Sequence, residues 1–233
     1  MLKEIILTED GSHTLRDDET DECYHSTHGA VQESAYIFIN AGLKEFLSAS
    51  SRKVVAGECD VRVLEIGFGT GLNAYLTLLE AEKNKIFIHY TSLELYPLTA
   101  DEALQLNYPE TLCEDRGLFE KIHHSSWGGY NDITSFFTLH KIKADFNCYE
   151  PKGLFDVIYF DAFSPEKQPE MWSETGFKKI YEHSGGEAIM TTYCAKGAVR
   201  RAIQSAGFVI ERLPGPPGKR EILRGHVEMK NEK

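Results

Sequence analysis

A turn with three glycines, placed between an apolar run and an amphipathic segment, constrains the fold of this chain more than any other feature. Residues 61–66 predict a buried strand, and Gly67, Gly69 and Gly71 follow it directly. Apolar side chains at positions 72, 75, 76 and 79 then fall on one face of a helix. Glycines in such a turn let a ligand lie against the main chain, and the helix start offers free N–H groups. The sequence therefore predicts a ligand site where a parallel strand ends.

The spacing of the glycines narrows the choice of ligand. A dinucleotide fingerprint requires glycine or alanine at position 72, where this chain has Leu72, and a P-loop requires a Lys-Ser or Lys-Thr pair that is absent after the glycines. Two further acidic residues follow predicted strands: Glu94 lies 23 positions after Gly71, and Asp145 follows the third strand. Because open α/β sheets bind ligands at the carboxyl ends of their strands, we expect these groups to converge on one site.

The remaining pattern alternates short apolar runs with helical segments, which is typical of an α/β fold with a parallel sheet. We predict one domain over residues 61–233, with a mostly parallel seven-stranded sheet and an antiparallel last strand, preceded by an N-terminal extension over residues 1–60 that includes a helix near 33–47. The predicted strands are 61–66, 86–94, 137–144, 154–160, 187–192, 208–212 and 220–224. We also predict a helix opened by Pro97 and running to about residue 107, an irregular insertion over 108–136, and a helix that ends at Gly207.

Composition excludes several classes of protein. The formal net charge is -11, which weighs against a nucleic-acid partner, yet residues 195–224 contain seven basic and two acidic side chains and so allow a basic face. No apolar run approaches the roughly 20 residues of a membrane span, and the acidic start does not resemble a signal peptide. We therefore expect a cytoplasmic protein with no membrane partner. The five cysteines have no paired spacing, and we expect reduced, individually buried thiols.

A second segment with candidate functional residues follows the fourth predicted strand. It reads Phe-Asp-Ala-Phe-Ser-Pro over residues 160–165 and ends with Pro-Glu-Met-Trp over residues 169–172. A carboxylate at a strand end, beside prolines and aromatic side chains, is costly unless a polar ligand meets it. The alternative is structural, with Asp161 capping a helix and Phe163 and Trp172 in the core.

Together these motifs resemble one family, the tRNA 5-methylaminomethyl-2-thiouridine methyltransferases, which form the methyltransferase half of a bifunctional wobble-uridine modification enzyme. The similar segments are 65–73, 92–98, 161–172, 197–208 and 218–223, with 24–26 and 32–39 in the N-terminal part. The family's bifunctional members often have Asp-Gly-Phe-Ala-Pro where this chain has Ala162 and Ser164. No second glycine-rich nucleotide motif follows, so we expect no oxidoreductase half.

The resemblance implies a class I S-adenosylmethionine-dependent methyltransferase fold, which is Rossmann-like, and S-adenosylmethionine as the cofactor. Glu65 would pair with the cofactor ammonium directly or through water, Glu94 with the ribose hydroxyls and Asp145 with the adenine amino group. The full set of implied cofactor-binding residues is Glu65, Gly67, Phe68, Gly69, Thr70, Gly71, Asn73, Glu94, Asp145 and Asp161.

The implied reaction is N-methylation of 5-aminomethyl-(2-thio)uridine at the wobble position of the tRNA anticodon loop. Asp161 is the candidate catalytic residue, which would hold the substrate ammonium and take its proton, with Tyr193 or Ser164 as helpers. Phe163 and Trp172 would stack the base, since single-stranded bases stack on aromatic side chains. The implied substrate-binding set is Phe163, Ser164, Pro165, Lys167, Trp172, Tyr193, Arg200, Arg201, Lys219 and Arg220.

Two rival functions stay open at this point. A small-molecule N- or O-methyltransferase on the same fold is favoured by the net charge of -11. A catalytically silent cofactor-binding module would keep the glycine turn but would not need Asp161. A metal site is not expected, because His25 and His28 with nearby Cys23 have no matching second pair. The sequence does not indicate the oligomeric state.

Overall fold

The protein is built around one eight-stranded sheet, described here from a computed structural model that covers residues 3–18, 21–49 and 60–228. The strands are β4 (Asp60–Ile66), β5 (Phe87–Glu94), β6 (Tyr130–Thr134), β7 (Phe137–Lys143), β8 (Phe155–Phe160), β9 (Ser184–Thr192), β10 (Val209–Pro214) and β11 (Glu221–His226). Their spatial order is β10-β11-β9-β8-β4-β5-β7-β6. All seven predicted strands are present, each within three residues of its expected bounds.

The five central strands β7, β5, β4, β8 and β9 run parallel. The last strand, β11, is antiparallel to β9 and lies between β9 and β10. This arrangement confirms the mostly parallel sheet with an antiparallel last strand. The eighth strand, β6, pairs antiparallel with β7 at the sheet edge. It lies in the segment predicted as an irregular insertion. The strand has only five residues and is partly exposed, so its sequence shows no clear alternation of apolar and polar side chains.

Helices cover both faces of the sheet, and each face has its own hydrophobic cluster. The helices are α3 (Leu72–Asn84), α4 (Ala100–Ala103), α5 (Tyr108–Leu112), α6 (Arg116–His124), α7 (Glu174–Glu182) and α8 (Gly197–Ala206), with a 3-10 turn at Pro169–Trp172. The prediction of a helix from Pro97 to about residue 107 is wrong in both its start and its length. A capping box between Thr99 and Glu102 starts α4, and α4 ends at Ala103.

The segment predicted as an N-terminal extension contributes to the main core. It forms a small antiparallel sheet of β1 (Lys3–Leu7), β2 (His13–Asp17) and β3 (Glu22–Cys23). A continuous helical segment follows, made of α1 (Ala30–Ser34), a π-helical stretch (Ala35–Lys44) and α2 (Glu45–Ala49). Ile37, Phe38 and Leu43 are fully buried in the same cluster as β4 and β8. The predicted boundary between the extension and the domain falls at residue 60. Residues 50–59, which precede it, lie outside the described part of the chain.

The prediction of individually buried cysteines holds for Cys194 only. Cys23 is half-buried, whereas Cys113 and Cys148 are exposed because they lie in or after short surface helices and loops. All four are free thiols, and Cys59 lies outside the described residues. Within residues 3–18, 21–49 and 60–228, no helix combines the length and the apolar character needed to cross a bilayer.

Candidate active site

A cavity of about 730 Å³ opens where the parallel strands end. Its walls include the loop after β4, the ends of β5 and β7, and Asp161 directly after β8. This volume lies in the usual range for small-molecule and cofactor sites. Of the ten predicted cofactor-binding residues, eight line the cavity: Gly67, Phe68, Gly69, Thr70, Asn73, Glu94, Asp145 and Asp161. The expected convergence of strand ends is therefore present.

The glycine loop is held by the main chain and needs its glycines for steric reasons. Gly67 N donates to Leu93 O at 2.9 Å, and Gly67 has a φ of 96°. A Cβ atom at this position would lie 2.5 Å from the main-chain oxygen of Asp161. Gly71, with a φ of 73°, forms the N-cap of α3. The loop therefore brings its backbone against the strand end that carries Asp161.

Glu94 and Asp145 face the cavity from the two neighbouring strands. Glu94 accepts hydrogen bonds from Gly69 N at 3.0 Å and from Tyr96 N at 2.9 Å, which fix the carboxylate beside the glycine loop. Asp145 accepts from Asn147 N at 2.8 Å. Carboxylates held in this way keep further acceptor capacity for hydroxyl or amino groups of a ligand.

Asp161 lies directly after β8 and lines the cavity beside the glycine loop. Its Oδ2 atom accepts a hydrogen bond from Asn73 Nδ2 at 2.8 Å, and its backbone N donates to Ile66 O at 2.9 Å. Burial raises the pKa of Asp161 to about 7, although the hydrogen bond from Asn73 opposes that change. A carboxyl group with a pKa near neutrality can both accept and release a proton under ordinary conditions.

Glu65 lies beneath the cavity and does not line it. It is fully buried, Ser92 Oγ donates to its Oε2 at 2.6 Å, and its Oε1 has no hydrogen-bond partner. Burial raises the pKa of Glu65 to about 8. Direct contact with a ligand in the cavity is therefore not available to Glu65 in this structure. Gly71 also lies outside the cavity wall, against the ring of His123.

The loop after β8 supplies an aromatic wall, but Trp172 does not belong to it. Phe163 lines the cavity and meets Tyr24 edge to face, with 5.1 Å between the ring centroids. Trp172 is buried against Phe160, and its Nε1 donates to Phe163 O at 2.8 Å. The interpretation of Trp172 as a stacking platform is wrong for this structure, because its ring fills the core and supports the loop.

The other predicted substrate contacts divide into two groups. Ser164, Tyr193 and Lys219 line the cavity. Pro165, Lys167, Trp172, Arg200, Arg201 and Arg220 lie outside its lining. Lys167, Arg201 and Arg220 are exposed and Arg200 is half-buried, so these four belong to the outer surface rather than to the cavity.

The N-terminal segment closes one side of the cavity, and sequence reasoning did not assign those residues to the site. Glu22 accepts hydrogen bonds from both the backbone N and Oγ of Ser164. His25 Nε2 lies 2.8 Å from Thr70 Oγ1, and burial lowers the pKa of His25 to about 4. Glu33 also lines the cavity. One feature of the sequence indicated that these residues belong to the site, namely the similarity of residues 24–26 and 32–34 to the family's N-terminal segment. Among the described residues, no group of three potential ligands could hold a metal ion.

Comparison with known proteins agrees with this geometry. Residues 135–228 match the family model described as S-adenosyl-L-methionine-dependent methyltransferase. The chain is 29% identical over 224 residues to the tRNA 5-methylaminomethyl-2-thiouridine biosynthesis bifunctional protein MnmC of Leptospira borgpetersenii, with 89% of this chain and 32% of that protein covered. The MnmC protein of Idiomarina loihiensis is 30% identical over 223 residues, with 88% and 36% covered. The chain thus spans about a third of the length of these relatives.

Solved structures support the fold. The crystal structure of MNMC2 from Aquifex aeolicus superposes with a TM-score of 0.75 at 24% identity, covering 99% of this chain and 71% of that one. Spermidine synthase from Thermotoga maritima superposes with a TM-score of 0.53 at 13% identity, covering 94% and 70%. The fold is that of the MNMC2 structure, and residues 135–228 are similar to S-adenosyl-L-methionine-dependent methyltransferases. Over most of its own length, the chain is similar to about a third of MnmC.

Proposed function

We propose that this protein uses S-adenosylmethionine to methylate the primary amine of 5-aminomethyl-(2-thio)uridine at the tRNA wobble position. The observation that carries the proposal is the position of Asp161. Its carboxyl group, with a pKa of about 7, lines the same cavity as the glycine loop, Phe163 and Tyr24. The MnmC relatives are named for tRNA 5-methylaminomethyl-2-thiouridine biosynthesis, which supports this substrate class. A cytoplasmic location follows from a tRNA substrate.

The residues around the glycine loop fit S-adenosylmethionine. Gly67 lets the loop pack against the Asp161 main chain, and Gly67 and Gly69 present bare backbone to the cavity. Glu94 and Asp145 present carboxylates suited to ribose hydroxyls and to the adenine amino group. Asn73 lines the cavity and holds the Asp161 carboxylate through its Nδ2 atom. When bound, this cofactor supplies an activated methyl group on a sulfonium.

The protein's main task is to orient the substrate amine and remove its proton. An alkylamine has a pKa near 10.4 and arrives as an ammonium without a free lone pair. Asp161 can first pair with that ammonium and then accept one proton from its nitrogen. Alignment of the nitrogen with the methyl group can contribute roughly 7 to 11 kcal/mol to lowering the barrier. Tyr193 positions the surrounding loop, because its hydroxyl donates to Ala162 O at 2.9 Å.

Recognition of the nucleotide would use both the aromatic wall and the outer basic surface. Phe163 and Tyr24 can stack an extruded base at the cavity. Arg200, Arg201 and Arg220 lie outside the cavity, where phosphates flanking that base would pass. Their role would be to add affinity that depends on salt concentration rather than on sequence.

Nucleoside mass spectrometry tests the proposal. Purified tRNA that carries unmethylated 5-aminomethyl-(2-thio)uridine is incubated with the full chain and S-adenosylmethionine. We expect a mass gain of one methyl group confined to the wobble uridine. A panel of small primary amines is tested in parallel, because the cavity lining is rich in carboxylates and would also attract a small cation. Methylation of a small amine with none on tRNA would favour the small-molecule rival, and cofactor binding without turnover would favour the silent module.

A further inference from the structure

The cavity contains a pair of charged side chains that the reaction outlined above does not use. Lys219 Nζ lies 3.2 Å from Glu33 Oε1 and 4.7 Å from the centroid of the Tyr193 ring. The Glu33 side chain is only 9% exposed, and the Lys219 side chain is 26% exposed. A primary ammonium therefore sits between a buried carboxylate and an aromatic face, in the wall of the candidate active site.

Glu33 and Tyr193 are rigidly placed, whereas Lys219 is not. Glu33 lies in α1, and its Oε2 accepts a hydrogen bond from Ser26 N at 2.8 Å. The Tyr193 ring is fixed by the hydrogen bond from its hydroxyl to Ala162 O at 2.9 Å. Lys219 lies in the turn between β10 and β11 and reaches the pair with a long, flexible side chain. Glu33 Oε1 makes no hydrogen bond, so the ion pair with Lys219 lacks good hydrogen-bond alignment.

We propose that Glu33 and the face of Tyr193 form a receptor for the primary ammonium of the substrate, and that Lys219 fills this receptor until the substrate displaces it. This inference rests on the proposed function. The lysine side chain ends in an ammonium on a methylene carbon, which is also the chemistry of the aminomethyl group on the uridine. Displaced from the receptor, Lys219 is free to turn towards the phosphates of the bound RNA.

The receptor and Asp161 line the same cavity. Glu33 raises and Lys219 lowers the pKa of Asp161 by their charges, so both groups lie within electrostatic range of that carboxyl. Exchange of one ammonium for another leaves the charge of the cavity unchanged. The Glu33 carboxylate is therefore paired with an ammonium before and after the exchange. A buried carboxylate without a partner would cost free energy.

Binding of n-butylammonium chloride to the full chain tests the receptor without tRNA. Titration calorimetry is run with S-adenosylhomocysteine present, so that the probe does not occupy the cofactor site. We expect weak binding to the natural chain and about tenfold tighter binding to Lys219→Met, because the competing ammonium is gone. Lys178→Met, an exposed lysine of α7, is the matched control and should bind the probe like the natural chain. Adding Glu33→Gln to Lys219→Met should abolish the gain.

Unchanged probe affinity in Lys219→Met, within twofold, would overturn the receptor, and so would a double variant that still shows the tenfold gain. Lys219→Met leaves the buried Glu33 carboxylate without its ion-pair partner and should lower stability, so thermal unfolding checks that each variant is folded at the temperature of the titration. The same experiments separate the receptor from the proposed function. If the predicted probe binding is observed but tRNA is never methylated, only the tRNA substrate is refuted. If tRNA is methylated but Lys219→Met binds the probe no more tightly than the natural chain, only the receptor is refuted.

Discussion

Asn73 Nδ2 donates a hydrogen bond to Asp161 Oδ2 at 2.8 Å and so joins the helix after the glycine loop to the strand end that carries the candidate base. The two residues are 88 positions apart in the chain. The contact favours the charged form of Asp161, whereas burial favours the neutral form. The balance of these two effects sets the pH at which Asp161 can accept a proton.

Replacing Asp161 with asparagine should reduce turnover by about 10² to 10⁴-fold, because a positioned general base contributes an acceleration of that order. Asparagine has nearly the same shape but cannot accept the proton. The measurement is single-turnover methylation of tRNA at saturating cofactor, with cofactor affinity measured separately. Near-normal turnover with intact cofactor binding would rule out the assigned role.

Activity of the natural chain should rise with pH through about 7, since only the ionised form of Asp161 can accept a proton. In Asn73→Ala the donor to that ionised form is lost, so the pKa of Asp161 should rise. The rising limb of kcat/KM against pH should then move to higher pH by about one unit, which corresponds to about 1.4 kcal/mol. A lower rate with an unmoved limb would mean that Asn73 acts only through cofactor binding.

Gly67 should be among the positions least tolerant of a side chain. In Gly67→Ala the new Cβ would lie 2.5 Å from the Asp161 oxygen, at a φ of 96° that alanine rarely adopts. We expect a loss of about 3 kcal/mol in the free energy of unfolding, together with weaker cofactor binding. Gly186→Ala is the matched control, because a Cβ there meets nothing within 4 Å, and urea unfolding compares the two. Equal stability of the two variants would contradict the steric argument.

The sheet was predictable because its parallel strands are either short apolar runs, as in β4 and β8, or alternate apolar and polar residues, as in β7. The glycines after β4 predicted the strand end at which the cavity opens. Edge strand β6 and the five-residue helix α5 were missed because such short elements carry little periodic signal. Helix α6 was also missed, although Leu118, Phe119 and Ile122 have helical spacing. The start of α4 was misplaced for another reason: Pro97 is a weaker signal than the capping box formed by Thr99 and Glu102.

Within the site, residues at strand ends were predictable and residues from distant segments were not. Asp161 and Glu94 follow strands whose order the sequence implies, so their convergence could be expected. The contact of Glu22 with Ser164 spans 142 positions and depends on how the N-terminal sheet packs over the cavity. Trp172 was misplaced because an aromatic side chain beside a site gives the same sequence signal whether its ring faces the ligand or the core.

Glu65 should make the protein less stable as the pH rises. Its pKa is about 8 when folded and 4.5 ordinarily, so between these values the folded chain retains a proton that the unfolded chain has lost. Stability conferred by the neutral carboxyl is therefore complete below about pH 4.5 and is lost as pH rises to about 8, by at most about 1.4 kcal/mol per unit.

The Glu65→Gln variant isolates this effect, because glutamine keeps the size and does not titrate. The difference in free energy of unfolding between variant and natural chain should shift in favour of the variant from pH 5 to 8 and then level off. Urea unfolding across that range measures it. The slope due to His25 is common to both proteins and cancels in the difference, whereas the charge interaction between Asp161 and Glu65 is part of the measured difference. A difference that does not vary with pH would mean that Glu65 is ionised in the folded chain.

The basic residues of α8 should contribute to tRNA affinity but not to chemistry. Arg200 and Arg201 lie outside the cavity, so reversing both charges should weaken tRNA binding while the affinity for S-adenosylmethionine stays the same. Loss of about two phosphate contacts should reduce the slope of log K against log salt by about 1.5. The control Lys83→Glu/Lys178→Glu changes the net charge equally but places it on α3 and α7. If both double variants lose affinity and slope equally, the effect comes from net charge alone, and α8 is not the surface that meets the RNA.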